Sequence, residues 1–226
     1  MTPRKSAWLV ALAILLPSTV WCTPKVHTVA LGSGRREPYS AVSDPAGAKK
    51  GETELKIRPL VVDGRVKEWT TGDAHDVTDR SFAVRRAVRL NDALPGDHGE
   101  HWVWQRGPWL LADRTSGKVA VLRLPEFDPA VSEAVWFRDY AAYCGVNTSG
   151  KQVMAVVAQV EGRRPLLSRK LQAWDAADHP TPVCVPAVWQ REPLRVSFQI
   201  TGAAEVSFDL VGTSAVLVED DDGPES

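Results

Sequence analysis

Neither sign of charge dominates this chain: its formal net charge is −1 over 226 residues. Without a basic field there is no electrostatic footprint for nucleic acid. No apolar run is long enough to cross a bilayer. The longest, residues 7–16, has half of the roughly 20 residues that a hydrocarbon core of about 30 Å requires. Signature motifs are missing too. No Gly-x-Ser-x-Gly marks a nucleophile elbow. Gly32-Ser33-Gly34 follows an apolar stretch. It lacks the Lys-Ser/Thr of a phosphate loop and the third glycine of a dinucleotide fingerprint. The sequence therefore implies no cofactor.

What is present begins at the N-terminus. Arg4 and Lys5 precede the apolar run, and Pro17-Ser18-Thr19-Val20-Trp21-Cys22 follows it. A basic region, a short apolar core and a small-residue boundary predict a signal peptide over residues 1–22, cleaved before Thr23. Lipid anchoring at Cys22 is the rival expectation, disfavoured because Trp21 stands where a small residue belongs. The chain is thus expected to be exported, to a periplasmic or extracellular location. Residues 23–53 read as one short strand and a loop-rich segment. Residues 54–218 read as a single β-rich domain, and residues 219–226 as a disordered acidic tail.

The domain reads as all-β, built of antiparallel hairpins and meanders. Thr-Ser-Gly-Lys occurs twice, at Thr115–Lys118 and Thr148–Lys151, each time between apolar or β-branched runs. Glycine supplies the positive φ of a tight turn, and the preceding Asp113 or Asn147 can bond its own backbone. Asp63-Gly64 is a third hairpin signal, and residues 73–79 read as a polar loop. In residues 81–91, Phe82, Val84, Val88 and Leu90 alternate onto one face and Arg85 and Arg89 onto the other; Arg86 falls on the apolar side, where it needs an acidic partner or an edge. Leu167, Leu171 and Trp174, spaced i, i+4, i+7, predict the one short helix, near 167–177; a further strand over 165–171 is the rival. Three strands close the chain. The alternation of Val196, Phe198 and Ile200 and of Val206, Phe208 and Leu210 requires an even register, with Phe198 opposite Phe208.

The segment Trp109-Leu110-Leu111-Ala112-Asp113-Arg114-Thr115-Ser116-Gly117-Lys118-Val119, followed by residues 134–143, resembles the blades of a β-propeller. In that fold a strand ending in Asp-x-x-x-Gly-Lys often precedes the last strand of a blade. The resemblance spans residues 102–172 and implies a partial, propeller-like arrangement. Propellers need four to eight four-stranded blades. About a dozen strands suit a sandwich or open barrel equally well.

Four constellations carry candidate chemistry. Asp97-His98-Gly99-Glu100-His101 offers two imidazoles and two carboxylates to a divalent metal, with His75 or His179 as a third ligand. Asp73, His75, Asp76 and Asp79 suit a general base or a hydrated loop. Trp102 and Trp104 share one strand face and form either core or a ligand-binding platform for a sugar ring, with core favoured. Cys144 and Cys184, the two cysteines left after signal removal, pair as a disulfide or stay as buried thiols. The expected function is a non-enzymatic binding or structural module of the cell envelope or exterior. Its partner would be a glycan or another envelope protein. The alternative is a secreted hydrolase, metal-assisted through the His98/His101 loop.

Overall fold

Where the sequence places turn residues, the chain reverses. Asp63 and Gly64 both take positive φ (50° and 75°), as the two-residue turn favoured by twisted hairpins requires. They join β3 (Glu54–Val62) to β4 (Arg65–Thr78). Asp113 Oδ1 accepts from the backbone N–H of Thr115 (2.7 Å) and Ser116 (2.9 Å), closing the turn from β6 (Trp102–Asp113) to β7 (Val119–Val121). Asn147 Oδ1 does the same for Lys151 (3.0 Å) and Gln152 (3.2 Å), between β9 (Tyr140–Val146) and β10 (Gln152–Gln159).

The computed structural model describes residues 26–40, 52–128, 132–173, 184–212 and 214–218. The signal-peptide, Cys22, His179 and acidic-tail readings lie outside them. The described chain is all-β, with antiparallel strands in three sheets. The first has seven strands: β1 (Val29–Leu31) and β2 (Arg35–Pro38) on one edge of β3, then β4, β5 (Ser81–Asn91), β6 and β7. The second is a meander of β8 (Val135–Phe137), β9, β10 and β11 (Leu167–Ala173). The third is β12 (Cys184–Gln190), β13 (Arg195–Ile200), β14 (Glu205–Val211) and β15 (Ser214–Leu217). Three sheets are fewer than the four blades that the smallest propellers need. The first sheet curls, and a single bridge, Tyr39 to Trp104, joins β2's end to β6, but no closed barrel forms.

The second sheet is the middle layer. Ala142, Cys144, Ala155 and Val157 pack against Val196, Phe198 and Phe208 of the third sheet. Their neighbours Ala141, Tyr143, Val156 and Ala158 pack with Ala83 and Trp109 of the first. Continuous apolar runs, rather than alternation, are what a strand buried on both faces requires. The Tyr143 hydroxyl donates to the Pro125 carbonyl (2.5 Å). Burial, and then the nearby Glu126 carboxylate, raise its pKa, so it stays a neutral phenol.

Several expectations need correction. Residues 167–173 form a strand, not a helix, paired to β10. A spacing of four is also even, so Leu167 and Leu171 satisfy either period; only Trp174, outside the described residues, distinguished the helix. Residues 73–78 are not a loop but the end of β4, which resumes its pairing with β5 after a bulge between Thr71 and His75. The face of β5 opposite Phe82 and Val84 is covered as well, so Arg85 is 3% exposed and lies over the rings of Trp109 (5.7 Å) and Phe127 (4.9 Å). Arg86 finds its acid, Glu68, at 2.9 Å. In the third sheet the register is even, but Val196 pairs Phe208 and Phe198 pairs Val206. The turn centres on Gly202, at φ 82°, two units of residue sum from the expected register. The two phenylalanines meet diagonally instead, edge to face at 6.1 Å.

Cys144 on β9 and Cys184 on β12 form a disulfide with Cα atoms 6.3 Å apart. It joins the second and third sheets across their shared core. Breaking it by Cys144→Ser with Cys184→Ser should cost about 2–5 kcal/mol. The check is denaturant unfolding of oxidised wild type against the double variant; equal midpoints would contradict it.

Asp209 sits beside the Arg195 guanidinium on the neighbouring strand (2.7 Å). That hydrogen bond, opposed in part by burial and helped least by the guanidinium's charge, holds its carboxyl below the usual value. A depressed folded-state pKa contributes stability that is present above the unfolded value and lost as pH falls through the folded one. The stability difference between wild type and Asp209→Asn should therefore be constant near neutrality and shrink below about pH 4. Melting curves of both proteins across that window test the sign.

Candidate functional site

The β5–β6 hairpin sets Arg89 opposite Trp104 and Asn91 opposite Trp102. Opposite residues share a face, and so do residues two apart, so all four lie on one side of the first sheet. There the Arg89 guanidinium lies over the Trp102 ring at 4.6 Å. Trp69 from β4 meets Trp104 edge to face at 5.8 Å, and Arg35 from β2 lies over Trp69 at 5.1 Å. Arg35, Trp69, Arg86, Arg89 and Trp104 line a cavity of 440 Å³ with Glu68 among them. Alternating guanidinium groups and indoles favour each other through the ring quadrupole and by stacking.

The charges of this face are mostly compensated. Arg35 pairs with Glu37 (2.7 Å), Arg86 with Glu68 (2.9 Å) and Arg106 with Glu52 (3.0 Å). Among the described residues no carboxylate reaches Arg89, whose guanidinium is held by Trp102 alone. The two tryptophans differ. Trp104 is 5% exposed and Trp102 is 40% exposed, so the expectation that both are core holds only for Trp104. Tyr39 bridges to Trp104, and the Ser40 N–H donates to its carbonyl at 3.1 Å. Trp102, at the first position of β6, lies beyond that cover. Its indole N–H donates to Glu100 Oε2 at 2.6 Å, which fixes the ring while leaving it open to solvent.

The proposed metal ligands among the described residues do not converge. His75 sits opposite Ala83 on β5, and the His98 loop begins after Asn91, eight positions further along that strand. At about 3.3 Å per residue that is roughly 26 Å. The loop's own groups are spent locally. Asp97 accepts from the Leu94 N–H (2.7 Å), Glu100 from Trp102, and His101 Nδ1 donates to Asp92 (2.5 Å). No group of three His, Cys, Asp or Glu among the described residues is placed to hold a metal ion. Of the second polar cluster, Asp76 binds Arg114 (2.6 Å) and His75 stacks on Trp136 (5.4 Å), so they do not act together as acid and base.

Sequence reading missed Arg35, Trp69 and Arg89 as site residues. The turn misleads for Trp69: carried on from Asp63-Gly64 the register would set it opposite Arg58, and a bulge between Leu60 and Val61 sets it opposite Pro59, on the other face. Arg89 faces Trp104 through a pairing that the loop at 92–101 does not fix. Arg35 was not readable, because the chain between β1 and β2 is irregular. Comparison with protein-family models, with curated proteins and with solved structures finds no match.

The two tryptophans should separate in stability measurements. Trp104→Ala removes a buried ring and should cost about 3–5 kcal/mol. Trp102→Ala should cost under about 1 kcal/mol. Comparable losses in urea titration would mean that Trp102 is core after all.

Proposed function

We propose that this chain is an exported, non-enzymatic binding module of the cell envelope or exterior, and that Trp102 with Arg89 binds a glycan carrying an anionic group. The observation that carries the reading is the Trp102 indole. It is exposed, yet held by Glu100 through its N–H and by Arg89 on one face. A ring fixed in advance loses little entropy on stacking against a sugar. Arg89, without a carboxylate among the described residues, supplies a charge-assisted donor to a uronate or sulfate. Export is supported by the N-terminal pattern and is compatible with the disulfide. No helix of the described residues is long and apolar enough to cross a membrane. The metal-assisted hydrolase loses its support, because the acids of the His98 loop bond their own neighbours.

The test is binding of neutral and uronate-containing oligosaccharides to the mature protein, read by tryptophan fluorescence or on a glycan array. Wild type should bind the acidic set, and Trp102→Ala should weaken it by at least about tenfold. A wild type that binds no glycan, or a Trp102→Ala protein that binds like wild type, would overturn the reading.

A further inference from the structure

The three sheets meet at the β8–β9 turn, Arg138-Asp139, and the contacts there are specific. His75 of the first sheet stacks on Trp136 of the second. Its Nε2 donates to the Arg138 carbonyl at 2.5 Å. Trp189 of the third sheet donates its indole N–H to the Val135 carbonyl (3.0 Å) and packs on Phe137 with ring centroids 5.4 Å apart. These contacts leave a cavity of 490 Å³ lined by His75, Trp136, Phe137, Arg138, Arg191 and Glu192. Its size is that of a small-molecule pocket, and each sheet supplies part of its wall.

Three features of the lining point to one ligand chemistry. Two guanidinium groups stand against one carboxylate, so the cavity carries a net positive charge. Arg138 lies over the Phe137 ring at 5.4 Å, and among the described residues no carboxylate pairs with it. Trp136 and Phe137 give the cavity an aromatic wall, with the Trp136 indole nitrogen buried behind it. The Arg138 carbonyl takes the Nε2 proton, which in the neutral ring leaves Nδ1 an acceptor, so His75 serves as part of the wall and not as a donor to an acid.

The backbone adds an independent observation. Arg138 has φ 52° in a two-residue turn whose flanking residues, Phe137 and Tyr140, pair directly. Glycine takes that conformation without steric cost, so an arginine there is a strained choice. Strain kept at a cavity wall marks a side chain retained for what it does. Here it brings a guanidinium to the junction.

We propose that this junction is a second ligand site, separate from the Trp102 face, for a small carboxylate carried on a ring with an apolar face. The carboxylate would be bound by Arg138 and Arg191, and the ring would lie against the aromatic wall of Trp136 and Phe137. Arg–carboxylate pairing supplies both charge and direction. The shared chemistry is the ring-borne acid, whether aromatic or sugar.

The experiment titrates the full mature chain, disulfide intact, with benzoate, glucuronate, cyclohexanol and benzylamine by calorimetry. Saturable binding of benzoate or glucuronate, without binding of cyclohexanol or benzylamine, is expected. Benzoate alone would identify an aromatic acid, and glucuronate alone a uronic acid. Arg191→Gln and Arg138→Gly should each weaken binding about tenfold. Arg138→Gly should also melt no lower than wild type, since glycine relieves the turn. Arg169→Gln, which removes an exposed charge from β11, should bind like wild type. The proposal is overturned if neither acid binds saturably, if the neutral or cationic ring binds as well, or if both cavity variants retain wild-type affinity.

Discussion

The structure depends on two strands that have no solvent face. Ala141, Ala142, Tyr143 and Cys144 of β9 and Val153, Ala155, Val156, Val157 and Ala158 of β10 are all buried. Along each, successive side chains enter different cores. In most sheets the hydrophobic pattern fixes the register, because a slip of one residue exposes the apolar set. Here both faces are apolar, so a slip would exchange one buried set for another and pattern alone specifies little. Register must come from groups that fit in one place only. The Asn147 turn, the Tyr143 hydroxyl on Pro125 and the Cys144–Cys184 bond supply three such groups. Small residues matter for the same reason: Ala141 and Ala142 let the sheets on either side approach a shared middle layer.

From that middle layer the outer sheets are held at few polar points. Trp189 fastens the third sheet to Val135, and His75 fastens the first to Arg138. Both points lie on or beside the short strand β8, so the junction cavity follows from the way the layers are joined. The first sheet keeps its own cores. Leu60, Phe82, Val84, Leu110 and Ala112 form one, and Tyr39, Leu55, Ile57, Ala87 and Trp104 another. The Arg–Trp face lies beside the second of these. It is therefore positioned by contacts independent of the disulfide and of the middle layer.

What was legible in the sequence is what local chemistry decides. The Asp63-Gly64 turn and the two Thr-Ser-Gly-Lys turns were readable because Gly, Asp and Asn act within a few residues of themselves. The even register of β13 and β14 was readable because parity is local, while the choice between two even registers turned on which residue of the 201–204 turn takes positive φ. Tertiary facts were not readable. Leu167 and Leu171 fit either period until β10 offers an open edge. Arg85 looks like a solvent residue until a second layer covers its face. Trp102 and Trp104 look equivalent until the Tyr39 bridge covers one of them.

The same contrast separates arginines that build this protein from arginines available to bind. Among the described residues, six of them stack on aromatic rings: Arg35, Arg85, Arg89, Arg106, Arg114 and Arg138. Stacking alone has a structural reading, since an arginine stem covers apolar surface while its head stays hydrated. Arg35, Arg106 and Arg114 also meet carboxylates, so charge and stem are both used within the fold. Arg85 is buried between layers. Arg89 and Arg138 differ from these four. Each lies over a ring with its guanidinium short of any carboxylate among the described residues, and each belongs to one of the two cavities or faces lined by tryptophan. A cation that the fold orients but does not neutralise prepares an anion site, because part of its rotamer freedom is settled before the ligand arrives.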